Sequence, residues 1–122
     1  MLAGIYNIVC EQGTTFTRVI TLEYPDETDP EVFLPWDFAN YTARMQIRRT
    51  INSTTTMIEL TTENGGIAFT NPSQGEMTVS MSAEQTAALT SDGVYDIEII
   101  NDTGEVSRLI QGNFTLNLEV TR

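Results

Sequence analysis

The sequence predicts an all-β chain: an antiparallel sandwich of about seven or eight short strands with one short helix crossing between layers. Three observations carry that expectation. Apolar residues recur at period two along most of the chain, breaks rich in Gly, Pro, Asn and Asp separate these runs, and one segment alone carries a helix start signal. The clearest run is residues 93–122, where Tyr95, Ile97 and Ile99 fall on one face while Asp96 and Glu98 fall on the other. Asn101-Asp102-Thr103-Gly104 then supplies a turn, so this stretch reads as a β-hairpin leading into a third strand.

From the N-terminus, Gly4 to Glu11 and Thr14 to Tyr24 are strand-like runs of Thr, Val, Ile and aromatics, separated by Gln12-Gly13. Phe16, Ile20 and Leu22 share a face that Arg18 interrupts. A cation there indicates a sheet edge, a bulge or a partner contact, and an edge is the expectation. Tyr24 to Asn40 is the one long connection, broken by Pro25, Pro30 and Pro35. It mixes Asp26, Glu27, Asp29 and Glu31 with Phe33, Leu34, Trp36 and Phe38. Acids and prolines alone would make a solvated linker. The four large apolar residues must instead pack on this chain's core or on another chain, which makes them interface candidates.

Tyr41 to Thr50 alternates, with Tyr41, Ala43, Met45 and Ile47 inward and Thr42, Arg44, Gln46 and Arg48 outward on a polar face. Ile51 to Thr56 is a turn, Met57 to Thr62 a short strand, and Glu63-Asn64-Gly65-Gly66 a turn before a strand at Ile67 to Thr70. Asn71 to Gly75 then turns into Met77 to Met81, where Met77, Val79 and Met81 face inward. Ser82 to Thr90 is the helix candidate. Ser82 and Gln85 form an S-x-x-Q capping box, and Glu84 suits the positive end of the helix dipole. One or two turns here would carry the chain from one sheet to the other, ending at Asp92-Gly93. With no repeat and no internal boundary, residues 1–122 read as a single immunoglobulin-like domain.

Charge narrows the partners. The net charge is −11, and all the cations are arginine: Arg18, Arg44, Arg48, Arg49, Arg108 and Arg122. Such a balance opposes phosphate backbones and anionic membranes, so neither nucleic acid nor a membrane is an expected partner. Arginine without lysine reflects either compositional drift or interfaces that use its planar fork. Arg44, Arg48 and Arg49 join the interface candidates on the second reading. Cys10 is the single cysteine, which rules out an intrachain disulfide and leaves a buried apolar thiol as the plain reading. The first residues carry no basic segment and too short an apolar run for a secretion signal. Assembly in a cytoplasm is therefore expected, and the four Asn-x-Thr/Ser matches are discounted.

Chemistry is sparse. There is no histidine, so Ser-His and Cys-His nucleophiles are excluded and metal sites lose their commonest ligand. The acids of the long connection lack the glycine and closing glutamate of a calcium loop, and Gly65-Gly66 lacks the lysine and helix of a phosphate loop. Tyr6, Tyr24, Trp36 and Tyr41 could line a sugar platform, but they are dispersed over different elements and core packing is the plainer role. No catalytic, cofactor or metal residues are assigned, and no enzyme activity is expected.

Three segments carry a resemblance: DFANYTARMQIR (Asp37 to Arg48), GGIAFTNPSQGEMTVSMSAEQTAAL (Gly65 to Leu89) and GVYDIEIINDTGEVSRLIQGNFTLNLEVTR (Gly93 to Arg122). In order and spacing they resemble small tailed-bacteriophage virion proteins similar to the N-terminal domain of baseplate upper proteins. The resemblance covers most of the chain after Asp37. It implies an immunoglobulin-like sandwich docking into a symmetric virion assembly as a homo-oligomer beside other virion proteins, with no catalytic residues to carry over. Because this chain ends at Val120-Thr121-Arg122, where a baseplate upper protein continues into further domains, receptor-binding and fibre roles are not carried over. The expected function is a structural component of the tail, baseplate or a fibre-attachment ring. A capsid decoration or cement protein is the alternative, and a carbohydrate-binding module for host glycans a further one.

Overall fold

Alternating burial resolves into a predominantly β chain in the computed structural model, which describes residues 3–121; Met1, Leu2 and Arg122 lie outside the described residues. The strands are β1 (Gly4–Ile5), β2 (Ile8–Glu11), β3 (Phe16–Thr21), β4 (Glu23–Pro25), β5 (Phe33–Pro35) and β6 (Thr42–Arg48). They continue with β7 (Ile58–Thr61), β8 (Ile67–Asn71), β9 (Glu76–Met81), β10 (Gly93–Ile100) and β11 (Val106–Asn117), with α1 (Ala83–Ala87) between β9 and β10. The larger sheet runs β1-β11-β10-β6-β7, with β2 also on β11, and the smaller runs β3-β9-β8. β4 and β5 form a separate hairpin.

The period-two pattern fixes which side chains face inward. Ala43, Met45 and Ile47 of β6, with Tyr95, Ile97 and Ile99 of β10, meet Met77, Val79 and Met81 of β9 and Phe16 and Ile20 of β3 in one core. Burying each large apolar side chain there contributes about 1.5–3 kcal/mol, which is why alternation rather than local propensity decides these strands. Leaving β9 at Met81, α1 carries the chain from the smaller to the larger sheet, as expected. Its capping box is present: Ser82 Oγ accepts from the Gln85 amide at 3.1 Å, and Gln85 Oε1 accepts from the Ser82 amide at 2.8 Å. Thr86, fully buried, donates its hydroxyl to the Thr14 carbonyl at 2.7 Å. Arg18 does lie on an edge strand, because β3 borders the smaller sheet.

Three expectations need correction. The larger sheet is mixed rather than antiparallel: β1 and β2 run parallel to β11, with Gly4 opposite Ile110 and Ile8 opposite Phe114. Alternation is the same in both pairing directions, so the pattern could not report it. The strands are also more numerous than expected. The run Gly4 to Glu11 divides at Tyr6-Asn7, and the run Thr14 to Tyr24 divides at Leu22, where the chain leaves the smaller sheet for the β4–β5 hairpin. Finally, among the described residues no third strand follows the C-terminal hairpin, since β11 is continuous over 12 residues. Its register slips opposite Ile97 and Glu98, so that Leu109 and Ile110 are both buried. That bulge breaks the alternation and mimics the end of a strand.

Two glycines make close approaches possible. Gly75, at φ +71, ends the turn between β8 and β9, where a Cβ would lie 2.3 Å from the Leu22 carbonyl oxygen. The base of the β4–β5 hairpin packs against this point. The Leu22 amide donates to the Gly75 carbonyl at 2.9 Å, and the Trp36 amide to the Leu22 carbonyl at 3.0 Å. On β11, a Cβ at Gly112 would lie 2.2 Å from the Tyr6 carbonyl oxygen, so glycine there lets the N-terminal segment cross from β1 to β2.

Candidate functional site

The solvent face of the larger sheet carries a laced set of charges. Register places Glu98 of β10 between Arg44 of β6 and Arg108 of β11, and Asp96 between Gln46 and Gln111. Arg44 Nε donates to Glu98 at 2.8 Å, while Arg108 leans diagonally to Asp96 at 3.3 Å. Gln46 donates to Glu59 of β7, and Arg48 donates to Gln46 Oε1 and to the Ser53 carbonyl, both at 2.8 Å. Together these side chains floor an open depression of about 690 Å³ lined also by Ile5 and Ile51, which are 78% and 83% exposed. Arg44, Arg48 and Arg108 balance Glu59, Asp96 and Glu98, so this face is neutral within a chain of net charge −11.

Asp96 is the strained member of the set. Partial burial, then the neighbouring Glu98 carboxylate, push its carboxyl above the usual range, and Arg108, Arg44 and Arg48 offset this only in part. The ion pair with Arg108 argues for the opposite shift. At 3.3 Å with both side chains partly in water, it is the weaker influence.

A second surface lies at the β4–β5 hairpin. Phe38 is buried and stacks on Phe69 at 4.9 Å between ring centroids; Trp36 stacks on Phe38 and meets Tyr24 edge-on, both at 6.0 Å. Leu34 and Trp36 are half-buried, whereas Phe33 stands 58% exposed beside Val32. The acids occupy the hairpin tip. Asp26 accepts from the Thr28 amide and hydroxyl, both at 3.0 Å, which holds its carboxyl below the usual range, the amide being the larger influence. The question left open for the long connection thus divides by residue: Phe38 belongs to the core and Phe33 to the surface.

Of the sequence candidates, Arg44 and Arg48 share the laced face. Arg49, just past β6, is exposed and makes no ion pair or side-chain hydrogen bond among the described residues. Phe33, Leu34 and Trp36 lie towards the opposite end of β6, where Phe38 is buried beneath them, so the candidates divide between two surfaces and the core. Sequence reasoning missed Asp96, Glu98 and Arg108 as members of the face. Their outward alternation was visible, but only the bulged register brings Arg108 to Asp96. Arg18 is used internally, donating to the Tyr6 hydroxyl at 2.8 Å over the Phe16 ring. Tyr24, Trp36 and Tyr41 are joined through Phe38, with successive ring centroids 6.0, 6.0 and 6.3 Å apart, and among the described residues Tyr6 makes no ring contact with them, so the four do not share one platform.

Among the described residues no group of three or more Cys, Asp or Glu side chains is arranged to hold a metal ion, and no helix is long and apolar enough to cross a membrane. No known protein family matches the chain, and no curated protein sequence matches it.

Proposed function

We propose that this chain is a structural protein of a tailed-bacteriophage virion, acting through protein-protein contacts in a symmetric assembly at the tail, baseplate or a fibre-attachment ring. One observation carries the reading: the three segments that resemble the N-terminal domain of baseplate upper proteins coincide with β6, with β8, β9 and α1, and with β10 and β11. DFANYTARMQIR includes β6, GGIAFTNPSQGEMTVSMSAEQTAAL spans β8, β9 and the capped α1, and the last segment is the β10–β11 hairpin. The reading takes the two sheets as the layers of an immunoglobulin-like sandwich. Strand order β11-β10-β6-β7 set against β3-β9-β8, joined by a helical crossover, supports it.

On this reading the work of the protein is contact. A neutral, laced sheet face and an aromatic, acidic hairpin are the two surfaces available for it. Imaging of intact virions with an antibody to this chain tests the proposal. Label at the tail tip or neck is expected. Label spread across capsid facets would replace it with a decoration role, and particles without label would end it.

A further inference from the structure

We propose that opposite ends of the molecule bind each other in neighbouring copies, the β4–β5 hairpin tip of one seating on the Arg48-Arg49-Ile51 corner of the next. The inference deepens the assembly reading and rests on it. Each end presents an exposed large apolar side chain, Phe33 at 58% and Ile51 at 83%, within a stretch of single charge sign. Residues 23–35 contain Glu23, Asp26, Glu27, Asp29 and Glu31 and no cation, whereas residues 48–58 contain Arg48 and Arg49 and no acid. A stretch with two cations and no acid is a marked exception in a chain of net charge −11, although Arg48 and Ile51 share a depression with Glu59, Asp96 and Glu98 of the sheet face.

The corner's charge is unspent at Arg49, whereas Arg48 helps to offset Asp96 on the sheet face. Arg49 has no ion pair among the described residues, and Arg48 donates only to neutral oxygens of Ser53 and Gln46. The acids nearest on the sheet face, Asp96 and Glu59, are engaged by Arg108 and Gln46.

Placement decides the mode. Thr42, opposite Ile100, begins β6 at the hairpin end, and Arg48, opposite Val94, ends it at the far side. A strand of this length separates the two patches by roughly 20 Å. They cannot meet within one molecule. Pairing either patch with its own kind sets carboxylate against carboxylate or guanidinium against guanidinium, so a two-fold axis through either patch is disfavoured. Pairing one with the other joins guanidinium to carboxylate around an apolar centre, a head-to-tail contact that closes into a ring or runs on, according to its rotation.

Crosslinking of the full chain tests this. Phe33→Cys and Ile51→Cys variants are made separately, both positions being exposed, while the native Cys10 thiol is 1% exposed and pushed up by burial, so it stays silent. In a mixture under mild oxidation at about 0.1 M salt, the mixed disulfide should form on the order of tenfold faster than either self-dimer. That advantage should vanish at about 1 M salt, where charges are screened within ~3 Å. Adding Arg48→Glu and Arg49→Glu to the Ile51→Cys chain should abolish it. Self-dimers forming as fast as the mixed product, or no disulfide under any condition, would overturn the contact. Because crosslinking needs no virion, its failure is distinguishable from failure of the particle labelling.

Discussion

Asp96 shows how one position can work against the stability of the whole. Its carboxyl is pushed above its ordinary value of 3.8, first by burial and then by Glu98, so the folded chain holds that proton more tightly than the unfolded chain. Stability from this group is therefore full at low pH and falls as pH rises past 3.8 through the folded value. Asp96→Asn should raise the melting temperature at pH 7 despite losing the Arg108 contact, and the difference from the native chain should shrink towards pH 4 in a thermal melt series. Gly75 is under the opposite constraint, since both its φ of +71 and the Leu22 carbonyl 2.3 Å from a Cβ require glycine. Gly75→Ala should cost about 2 kcal/mol or more in urea unfolding, because strain and a displaced hairpin base add. A glycine after Pro-Ser-Gln reads in the sequence as a turn. The approach of Leu22, far away in the chain, does not.

Among the elements, the helix and the N-terminal strands are the contrasting cases. The helix is specified within a few residues: Ser82, Glu84 and Gln85 are enough to place its start, and the structure has the same cap. β1 and β2 depend on a strand at the far end of the chain, with the Asn7 side chain accepting from the Asn113 amide across a separation of 106 residues. Three features hold this crossing: Gly112, the Arg18 bond to the Tyr6 hydroxyl, and the Tyr95 hydroxyl donating to the Tyr6 carbonyl. Gly112→Ala should push Tyr6 off β11, and hydrogen exchange of residues 4–11 should quicken by at least about tenfold while β6 and β9 keep their protection. Equal protection in all three would show that the crossing tolerates a methyl group.

At the scale of the molecule, charge distribution matters more than net charge. A net charge of −11 spread evenly would make every copy repel every other. Arg44 and Arg108 are instead paired on the sheet face with Glu98 and Asp96, while Arg48 and Arg49 open a stretch, residues 48–58, that contains no acid. The proposed head-to-tail contact follows from that segregation. The chain by itself determined the all-β class, the inward residues of β6, β9 and β10, the edge position of Arg18 and the capped helix, because burial at period two and a capping box act over a few residues. Tertiary structure alone decided the parallel pairing of β1 and β2, the bulge that brings Arg108 to Asp96, and the division of the long connection into a buried Phe38 and an exposed Phe33. Each of these depends on contacts between residues distant in the chain, whose register and direction leave no periodic trace in either partner.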